Sequence, residues 1–326
     1  MQKISAVIFD VDNTLYDFTA FYRPAFEAML DKISDKSGID QEQLKKEFRA
    51  IHQREGTSEF VFAVQELPSL KKLHPGEDLT ETYADAIHAF RKARKQNLKL
   101  YDGVKETLEK LKESGTRIIA YTESPGYHAM SRLKQLGLDG LIDCVYSMPD
   151  HDMPGQVKRE DVRLYDKSNY AFAKTEMRHT TPGVLKPNPE TLEGIVEELN
   201  IDADEVLYVG DHLMKDVSMA KAMGLHAAHA AYGSYMGDNN YELLKQLTFW
   251  TDDMIEKEKQ YHDQPQIAPD VTLSKNINEL LTHFEFTAYQ GTPKDSAKFA
   301  ASPFCKTTQD AAKPAAKQQS PKTPKR

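Results

Sequence analysis

Two carboxylates stand two residues apart directly after an apolar run near the start of the chain. Residues 4–9 are rich in β-branched side chains, which predicts a buried strand, and Asp10 and Asp12 follow it at once. Outside the carboxyl end of a strand in an open α/β sheet, both carboxylates can face a ligand if the chain turns there. Because close carboxylates repel each other, the pair predicts a bound cation or a shared proton. An Asx-type turn after a strand is the alternative interpretation.

A hydroxyl group and an ammonium group come next. Thr122 follows the apolar run 117–121 at the entrance of a predicted helix, where a hydroxyl and backbone amides suit a phosphate group. Helix capping by Thr122 or Ser124 is the competing interpretation. Lys186 stands before two prolines, and Pro189 suits a first helical turn, which predicts an ordered, extended approach for the lysine. A solvated lysine is the alternative.

The last polar group follows the apolar run 206–209. Gly210 allows a tight turn, and Asp211 and Asp216 offer the hard oxygen ligands that Mg²⁺ prefers. Acidic helix caps in a loop are again the alternative. The order and context of the four groups are more informative than any one of them. Three leave the carboxyl end of a predicted parallel strand, and the fourth lies at a helix entrance.

Strands and helices alternate along most of the chain. Helical patterns that often end at glycine separate the apolar runs, which predicts an α/β fold with a parallel sheet and right-handed crossovers. The predicted strands are 4–9, 117–121, 141–146, 206–209 and 271–273, and the predicted helices are 103–114, 129–135, 189–199 and 216–223.

Three segments interrupt that alternation. Residues 16–98 contain several helical patterns and no convincing strand, which predicts a helical subdomain inserted after the first strand. Residues 149–183 and 235–269 are longer than an α/β unit needs, and loops of this length are usually functional or mobile. The predicted core is therefore discontinuous and consists of residues 1–15 and 99–289.

Charge is unevenly distributed over the 326 residues, whose net charge is −8. Residues 290–326 hold eight basic and two acidic side chains, for a net charge of +6, so the other 289 residues carry −14. The basic segment is rich in Ala, Pro, Gln, Ser, Thr and Lys, which predicts a disordered tail. An acidic body argues against nucleic-acid binding by the core. The basic tail offers charge for anionic partners, although a solvated tail without a function is the simpler interpretation.

Composition also limits the cellular setting. The two cysteines, Cys144 and Cys305, are too far apart and too isolated for a disulfide scaffold or a cysteine metal cluster. The first apolar run is too short for a signal peptide, and no run approaches the roughly 20 residues that span a bilayer. We therefore expect a cytoplasmic location and no membrane partner.

In their order, the four groups resemble the motifs of the haloacid dehalogenase-like (HAD) hydrolase superfamily. The resemblance extends over roughly residues 3–284, excluding the two long insertions. It implies a Rossmann-like, three-layer core with a parallel sheet, and it makes residues 16–98 the α-helical cap of that family. The matching residues are Asp10-Val11-Asp12-Asn13-Thr14, Thr122, Lys186, and Gly210-Asp211 through Asp216.

This resemblance implies Mg²⁺-dependent hydrolysis of a small phosphomonoester. Asp10 would be the nucleophile that forms an aspartyl-phosphate, and Asp12 would be the general acid and then the general base. Thr122 and Lys186 would bind the transferred phosphoryl group. The implied ligands of Mg²⁺ are the Asp10 carboxylate, the Asp12 backbone carbonyl, Asp211, and Asp216 as a further ligand or support.

Two other functions belong to different classes. A haloacid dehalogenase attacks carbon with its carboxylate and needs neither a metal nor an acid two residues on, so Asp12 and the pair Asp211 and Asp216 argue against it. A non-catalytic interaction protein with this fold has no need of the intact set of Asp10, Asp12, Lys186 and Asp211.

Substrate identity is less constrained by the sequence. Glu123 departs from the family pattern, in which Asn or a small residue usually follows the Thr, and a carboxylate there would repel a phosphate dianion unless it points away. Arg54 offers a partner for a second anionic group on the substrate, and a solvent-facing arginine is the simpler alternative. Tyr16 and Phe18 either stack on a nucleobase or pack the hinge of the cap. Nucleotides, phosphoglycolate and sugar phosphates all remain open.

Overall fold

The computed structural model describes residues 1–150, 171–233, 245–263, 267–294 and 298–301. The predicted insertions 149–183 and 235–269, and the predicted tail 290–326, therefore lie partly outside the described residues. Among the described helices, none is long and apolar enough to cross a membrane.

Most of the strands form one mainly parallel sheet. Within the described residues the strand order is β10-β5-β4-β3-β2-β6-β7-β8, and all neighbours are parallel except β10 and β5. Strands β1 and β9 form a small separate sheet. The predicted α/β fold with a parallel sheet is confirmed. The strands are β1 Gln2–Ile4, β2 Ala6–Phe9, β3 Arg117–Pro125, β4 Cys144–Met148, β5 Glu176–His179, β6 Val206–Gly210, β7 His226–His229, β8 Val271–Thr272, β9 Phe284–Phe286 and β10 Ala300–Ala301.

Helices flank the sheet and also form the segment between β2 and β3. The predicted helix 189–199 is confirmed at both ends, whereas the predicted helix 216–223 begins earlier as a π-helical turn, Leu213–Ser218. The helices are α1 Phe18–Ser37, α2 Gln41–Glu55, α3 Ala63–Glu66, α4 Pro68–Leu73, α5 Leu79–Thr82, α6 Ala84–Asn97, α7 Val104–Glu113, α8 Gly126–Gln135, α9 Pro189–Leu199, α10 Met219–Ala222, α11 Asp252–Asp263 and α12 Leu280–His283.

The central strand β2 is buried on both faces. Val7 and Phe9 belong to one apolar cluster, while Ala6 and Ile8 belong to the cluster on the opposite face, and all four are fully buried. This alternation follows from the two-residue period of a strand. Burial on both sides fixes the strand firmly, so the residue that follows it, Asp10, has a well-defined position.

Helices α1–α6 form the helical insertion of the predicted fold class. Helix α1 begins at the N-cap Asp17, whose side chain accepts a backbone N–H of the first turn, and ends at Gly38 with a φ of 69°. The chain enters and leaves the insertion side by side, because Tyr16 and Leu100 form an antiparallel bridge. One of the two apolar clusters continues from the sheet into the insertion through aromatic side chains, namely Phe21, Tyr22, Phe26 and Phe48.

Two parallel strands of the main sheet escape the sequence analysis. Strand β5 has the sequence Glu-Met-Arg-His and β7 has His-Ala-Ala-His, so neither contains an apolar run. Their pairing with β4 and β6 supplies the backbone hydrogen bonds that make them strands.

The start of the predicted disordered tail is ordered where the structure describes it. Ala300 and Ala301 pair with β5, and the Phe299 ring meets Tyr146 edge to face with centroids 4.9 Å apart. Lys298 also forms an ion pair of 2.9 Å with Glu197. The prediction of disorder from residue 290 was therefore wrong for 298–301, because one aromatic side chain and an open sheet edge are enough to dock this stretch. Residues 302–326 lie outside the described residues.

We expect the substitution Phe299→Ala to lower the free energy of unfolding by about 1–2 kcal/mol, because it removes a half-buried ring and its contact with Tyr146. Urea unfolding measures this change. The matched control is Lys298→Ala, which removes an exposed ion pair and should change the free energy by less than about 0.5 kcal/mol. Equal, negligible effects of both substitutions would contradict the docking of this stretch.

Candidate active site

Three adjacent strands bring the sequence-predicted residues to one edge of the sheet. Strand β2 lies between β3 and β6 and is parallel to both. Asp10 directly follows β2, Thr122 lies near the end of β3, and Asp211 directly follows β6. Lys186 reaches the same edge from the loop that precedes α9. All four residues line a cavity of about 140 Å³.

A buried ammonium group connects two of the predicted carboxylates. Lys186 Nζ lies 2.5 Å from Asp10 Oδ1 and 2.9 Å from Asp216 Oδ1, and its side chain is only 2% exposed. Thr14 Oγ1 donates to Asp10 Oδ2 at 3.2 Å and lies 3.5 Å from Asp211 Oδ1. These contacts hold Asp10 in one orientation at the carboxyl end of β2.

Asp216 owes its position to a glycine and a π-helical turn. The Leu213–Ser218 turn returns Asp216 toward β6, where it accepts hydrogen bonds from Tyr208 Oη at 3.0 Å and from the His212 backbone N–H at 3.2 Å. A Cβ atom on Gly210 would overlap with the Asp216 carboxyl group. Gly210 is therefore needed for close approach and not only for a turn.

The carboxylates of Asp10, Asp211 and Asp216 form a cluster with an excess of negative charge. Their oxygen atoms lie within 4.8 Å of one another, and Lys186 offsets only one of the three charges. Burial, together with the charge of Asp216, raises the pKa of Asp10 to about 7 despite the nearby ammonium of Lys186. Burial and the charges of Asp10 and Asp216 also raise the pKa of Asp211. A divalent cation would relieve this repulsion.

The donor set fits a hard divalent cation such as Mg²⁺. All three side chains offer carboxylate oxygens, which are the ligands that Mg²⁺ prefers in proteins. The carboxylate of Asp12 is outside this cluster. Coordination through its backbone carbonyl, as the family resemblance implies, stays a prediction.

Asp12 has different surroundings from Asp10, two residues away. Its carboxylate accepts hydrogen bonds from Tyr16 Oη and from Ser124 Oγ, the latter at 2.7 Å, and Thr122 Oγ1 lies at 3.4 Å. Hydroxyl groups therefore hold Asp12, whereas an ammonium group holds Asp10. Tyr16 is thus a hydrogen-bond donor to this carboxylate. The sequence analysis had suggested that it stacks on a nucleobase or packs the hinge of the cap.

Neither Thr122 nor Ser124 is a helix cap. Helix α8 begins at Gly126 without a side-chain cap, and Thr122 Oγ1 instead accepts the Ser124 backbone N–H at 3.0 Å. Glu123 points toward the Lys186 backbone N–H at 2.6 Å and toward Lys215 Nζ at 3.1 Å. Lys215 therefore offsets its charge, and Glu123 lines the cavity together with Lys186 and Lys215.

A model of the haloacid dehalogenase-like hydrolase family matches residues 4–224, about two thirds of the chain. The chain belongs to that family. The match covers all four motifs and the helical insertion between the first two.

Curated relatives of this HAD-like hydrolase match over most of its length at low identity. A glyceraldehyde 3-phosphate phosphatase from Methanopyrus kandleri is 25% identical and covers 71% of this chain and 86% of its own. A phosphoglycolate phosphatase from Colwellia psychrerythraea is 26% identical and covers 77% of this chain and 95% of its own. A solved structure of a HAD phosphatase from Thermococcus onnurineus is 19% identical, covers 86% of this chain and all of its own, and has a TM-score of 0.48.

The helical insertion lines one side of the cavity of the HAD-like hydrolase. Residues 56–59, between α2 and α3, line it, and so do Phe18 and residues 248–250 from the second long insertion. The two insertions contact each other: Arg49 forms an ion pair of 2.7 Å with Asp252, and Gln53 donates to the Trp250 carbonyl at 3.1 Å. Arg54 does not line the cavity and pairs with Glu55 and Glu66 on the surface, so the simpler interpretation of Arg54 is confirmed.

Sequence analysis assigned no role to two buried charged residues beside the cavity, Glu59 and Arg132. Arg132 was detectable in principle, because it occupies the buried face of α8 with Ala129 and Leu133 at helical spacing, and a charge on such a face requires a partner. Glu59 lies in an irregular loop, and no periodic pattern distinguishes it from its polar neighbours.

We expect Gly210→Ala to weaken Mg²⁺ binding by about 10-fold to 100-fold, because the added methyl group displaces Asp216 from the carboxylate cluster. Calorimetric titration with Mg²⁺ measures the affinity. Gly194→Ala is the matched control. Gly194 lies on α9 outside the cavity, and the added methyl group would meet only side-chain atoms of Lys298 and Phe299. An affinity of Gly210→Ala equal to that of the control would refute this account of Asp216.

Proposed function

We propose that the protein catalyses the Mg²⁺-dependent hydrolysis of a small phosphomonoester through an aspartyl-phosphate intermediate. The observation that carries the proposal is the pair of differently held carboxylates. Asp10 contacts Lys186 within a cation-binding cluster, and Asp12, two residues on, is held by hydroxyl groups. The two carboxylates have different neighbours, which suits one to be the nucleophile and the other to be the general acid and base.

The first half of the reaction transfers the phosphoryl group to the enzyme. Asp10 attacks phosphorus in line, and the bond between phosphorus and the ester oxygen breaks. Asp12 gives its proton to the departing oxygen, so that an alcohol leaves. Thr122 and Lys186 hold the non-bridging phosphoryl oxygens, and a bound Mg²⁺ supplies charge that lets two anions approach each other.

The second half releases phosphate. Asp12, now a carboxylate, takes a proton from a water molecule, whose oxygen attacks the phosphorus of the aspartyl-phosphate. The bond to Asp10 breaks, inorganic phosphate leaves, and both aspartates return to their starting states. The helical insertion acts as a cap that covers the site during the first half.

Two observations favour a small alcohol as the leaving group. The cavity of about 140 Å³ is close in size to an engineered cavity that holds benzene, and the two relatives described above are named for compounds of two or three carbons with one phosphate. The loop between α2 and α3, residues 56–59, is called the cap loop. The cap loop and the second insertion contribute hydroxyl and aromatic groups to the cavity, namely Thr57, Ser58, Thr248, Phe249 and Trp250.

A metal-independent haloacid dehalogenase is the alternative within the family. Asp12, Asp211 and Asp216 would then place unnecessary negative charge beside an anionic haloacid. The cluster that Asp211 and the buried Asp216 form with Asp10 argues for the phosphatase.

The proposed reaction predicts phosphate release that requires both Mg²⁺ and Asp10. Wild-type protein, tested on p-nitrophenyl phosphate and a panel of cellular phosphomonoesters, should lose activity with EDTA and regain it with added Mg²⁺. Asp10→Asn should lower kcat by about 10³-fold or more. The exposed Asp204→Asn is the control and should be fully active. The absence of phosphate release from every ester in the panel would refute the proposal.

The size of the cavity predicts that Trp250→Ala broadens the substrate range. Removal of the indole opens the cavity on the side of the second insertion, so kcat/KM for bulky nucleoside monophosphates should rise relative to glycerol phosphate by about 10-fold. Val61→Ala is the control, because Val61 is 60% exposed and does not line the cavity. An unchanged ratio for Trp250→Ala would exclude this side chain as a determinant of size.

A further inference from the structure

We propose that Arg132 is a positioning residue for Asp12 and that Glu59 couples closure of the cap to this positioning. The inference rests on the proposed function, in which Asp12 is the general acid and base. It concerns three contacts that join the cap loop, helix α8 and the Asp12 carboxylate into one chain of interactions.

The first contact joins Arg132 to Asp12 through a serine. Arg132 donates from Nη2 to Ser124 Oγ at 2.6 Å, and Ser124 Oγ donates in turn to Asp12 Oδ2 at 2.7 Å. The same nitrogen lies 3.8 Å from Asp12 Oδ1. Because the guanidinium occupies the acceptor side of the serine hydroxyl, the hydroxyl hydrogen is directed at the carboxylate.

The second contact joins Arg132 to the cap. Its Nη1 donates to Glu59 Oε1 at 2.8 Å, and Glu59 lies in the loop between α2 and α3. The side chains of Arg132 and Glu59 are 2% and 6% exposed. Burial by itself raises the pKa of Glu59, but the charges of Arg132, His128 and Arg94 outweigh it and lower the pKa to about 2. Glu59 is therefore a carboxylate at neutral pH.

The third contact fixes the plane of the guanidinium. Arg132 lies 5.6–5.7 Å from the ring centroids of Tyr16, Phe18 and Phe21, at the entrance to the cap. These rings provide favourable cation–π contacts and exclude water from that face. Tyr16 also donates to Asp12, so this one side chain contacts both Arg132 and Asp12.

The consequence is that closure of the cap completes the set of contacts that orient Asp12. If the cap loop withdraws, Glu59 leaves Arg132 with a buried charge that lacks its main partner, which is costly. The guanidinium then loses the fixed geometry in which it directs Ser124. The proton donor is thus set in position when the cap covers the substrate and released when it opens.

The experiment compares a substrate that needs the proton from Asp12 with one that does not. Glycerol phosphate releases an alkoxide that must be protonated, whereas p-nitrophenyl phosphate releases a stable phenolate. For both esters kcat/KM reports the steps up to transfer of the phosphoryl group. Arg132→Gln and Glu59→Gln should lower kcat/KM for glycerol phosphate about 10-fold or more beyond any loss with p-nitrophenyl phosphate.

A matched control separates positioning from stability. Arg178 forms an ion pair of 2.8 Å with the buried Glu198 and does not line the cavity, so Arg178→Gln should leave the ratio of the two kcat/KM values unchanged. If Arg132→Gln does not fold, Ser124→Ala breaks the same connection with a smaller change and should lower the ratio likewise.

The outcomes distinguish the two proposals. If the wild type is active and Arg132→Gln has the same ratio of the two kcat/KM values, the positioning role is overturned. Ser124→Ala decides the question in the same way if Arg132→Gln does not fold. A normal ratio in a folded Glu59→Gln overturns the coupling to the cap. A wild type without Mg²⁺-dependent release of phosphate from these two esters and from every other ester of the panel overturns the proposed function, and this inference with it.

Discussion

The contact of Lys186 with both Asp10 and Asp216 is the interaction on which the site depends. Three carboxylates are brought together at the end of a buried sheet, where desolvation and mutual repulsion oppose their ionisation. One ammonium group offsets part of that charge and leaves an excess that suits a divalent cation. Burial by itself lowers the pKa of Lys186, and the two facing carboxylates outweigh it and raise that pKa. The lysine therefore stays charged.

The same edge of the sheet gives two neighbouring aspartates different chemistry. Asp10 belongs to the carboxylate cluster and contacts Lys186, while Asp12 faces Tyr16 and Ser124. The proposed roles of nucleophile and acid require a separation of this kind, since each carboxylate responds to its own surroundings. The backbone turn after β2 makes the separation possible, and Asn13, at a φ of 58°, lies at its centre.

The two insertions build the other half of the cavity. The helical insertion supplies residues 56–59, and the second insertion supplies 248–250 and contacts α2 directly. The proposed specificity therefore rests on segments whose sequences carry no motif, and the proposed chemistry rests on residues at the end of the sheet. Arg132 links the two, because it is buried between Glu59 and Ser124, which in turn contacts Asp12.

The sequence by itself determined the parallel α/β core, the helical insertion and the candidate residues Asp10, Asp12, Thr122, Lys186, Asp211 and Asp216, because apolar periodicity and short motifs are local signals. It left open which groups face Glu123 and whether Arg54 reaches the site. Only the tertiary structure decided these points, and it also ordered residues 298–301 and paired Glu59 with Arg132. Each of them depends on contacts between residues far apart in the chain, and their strength comes from burial, which no local pattern of residues specifies.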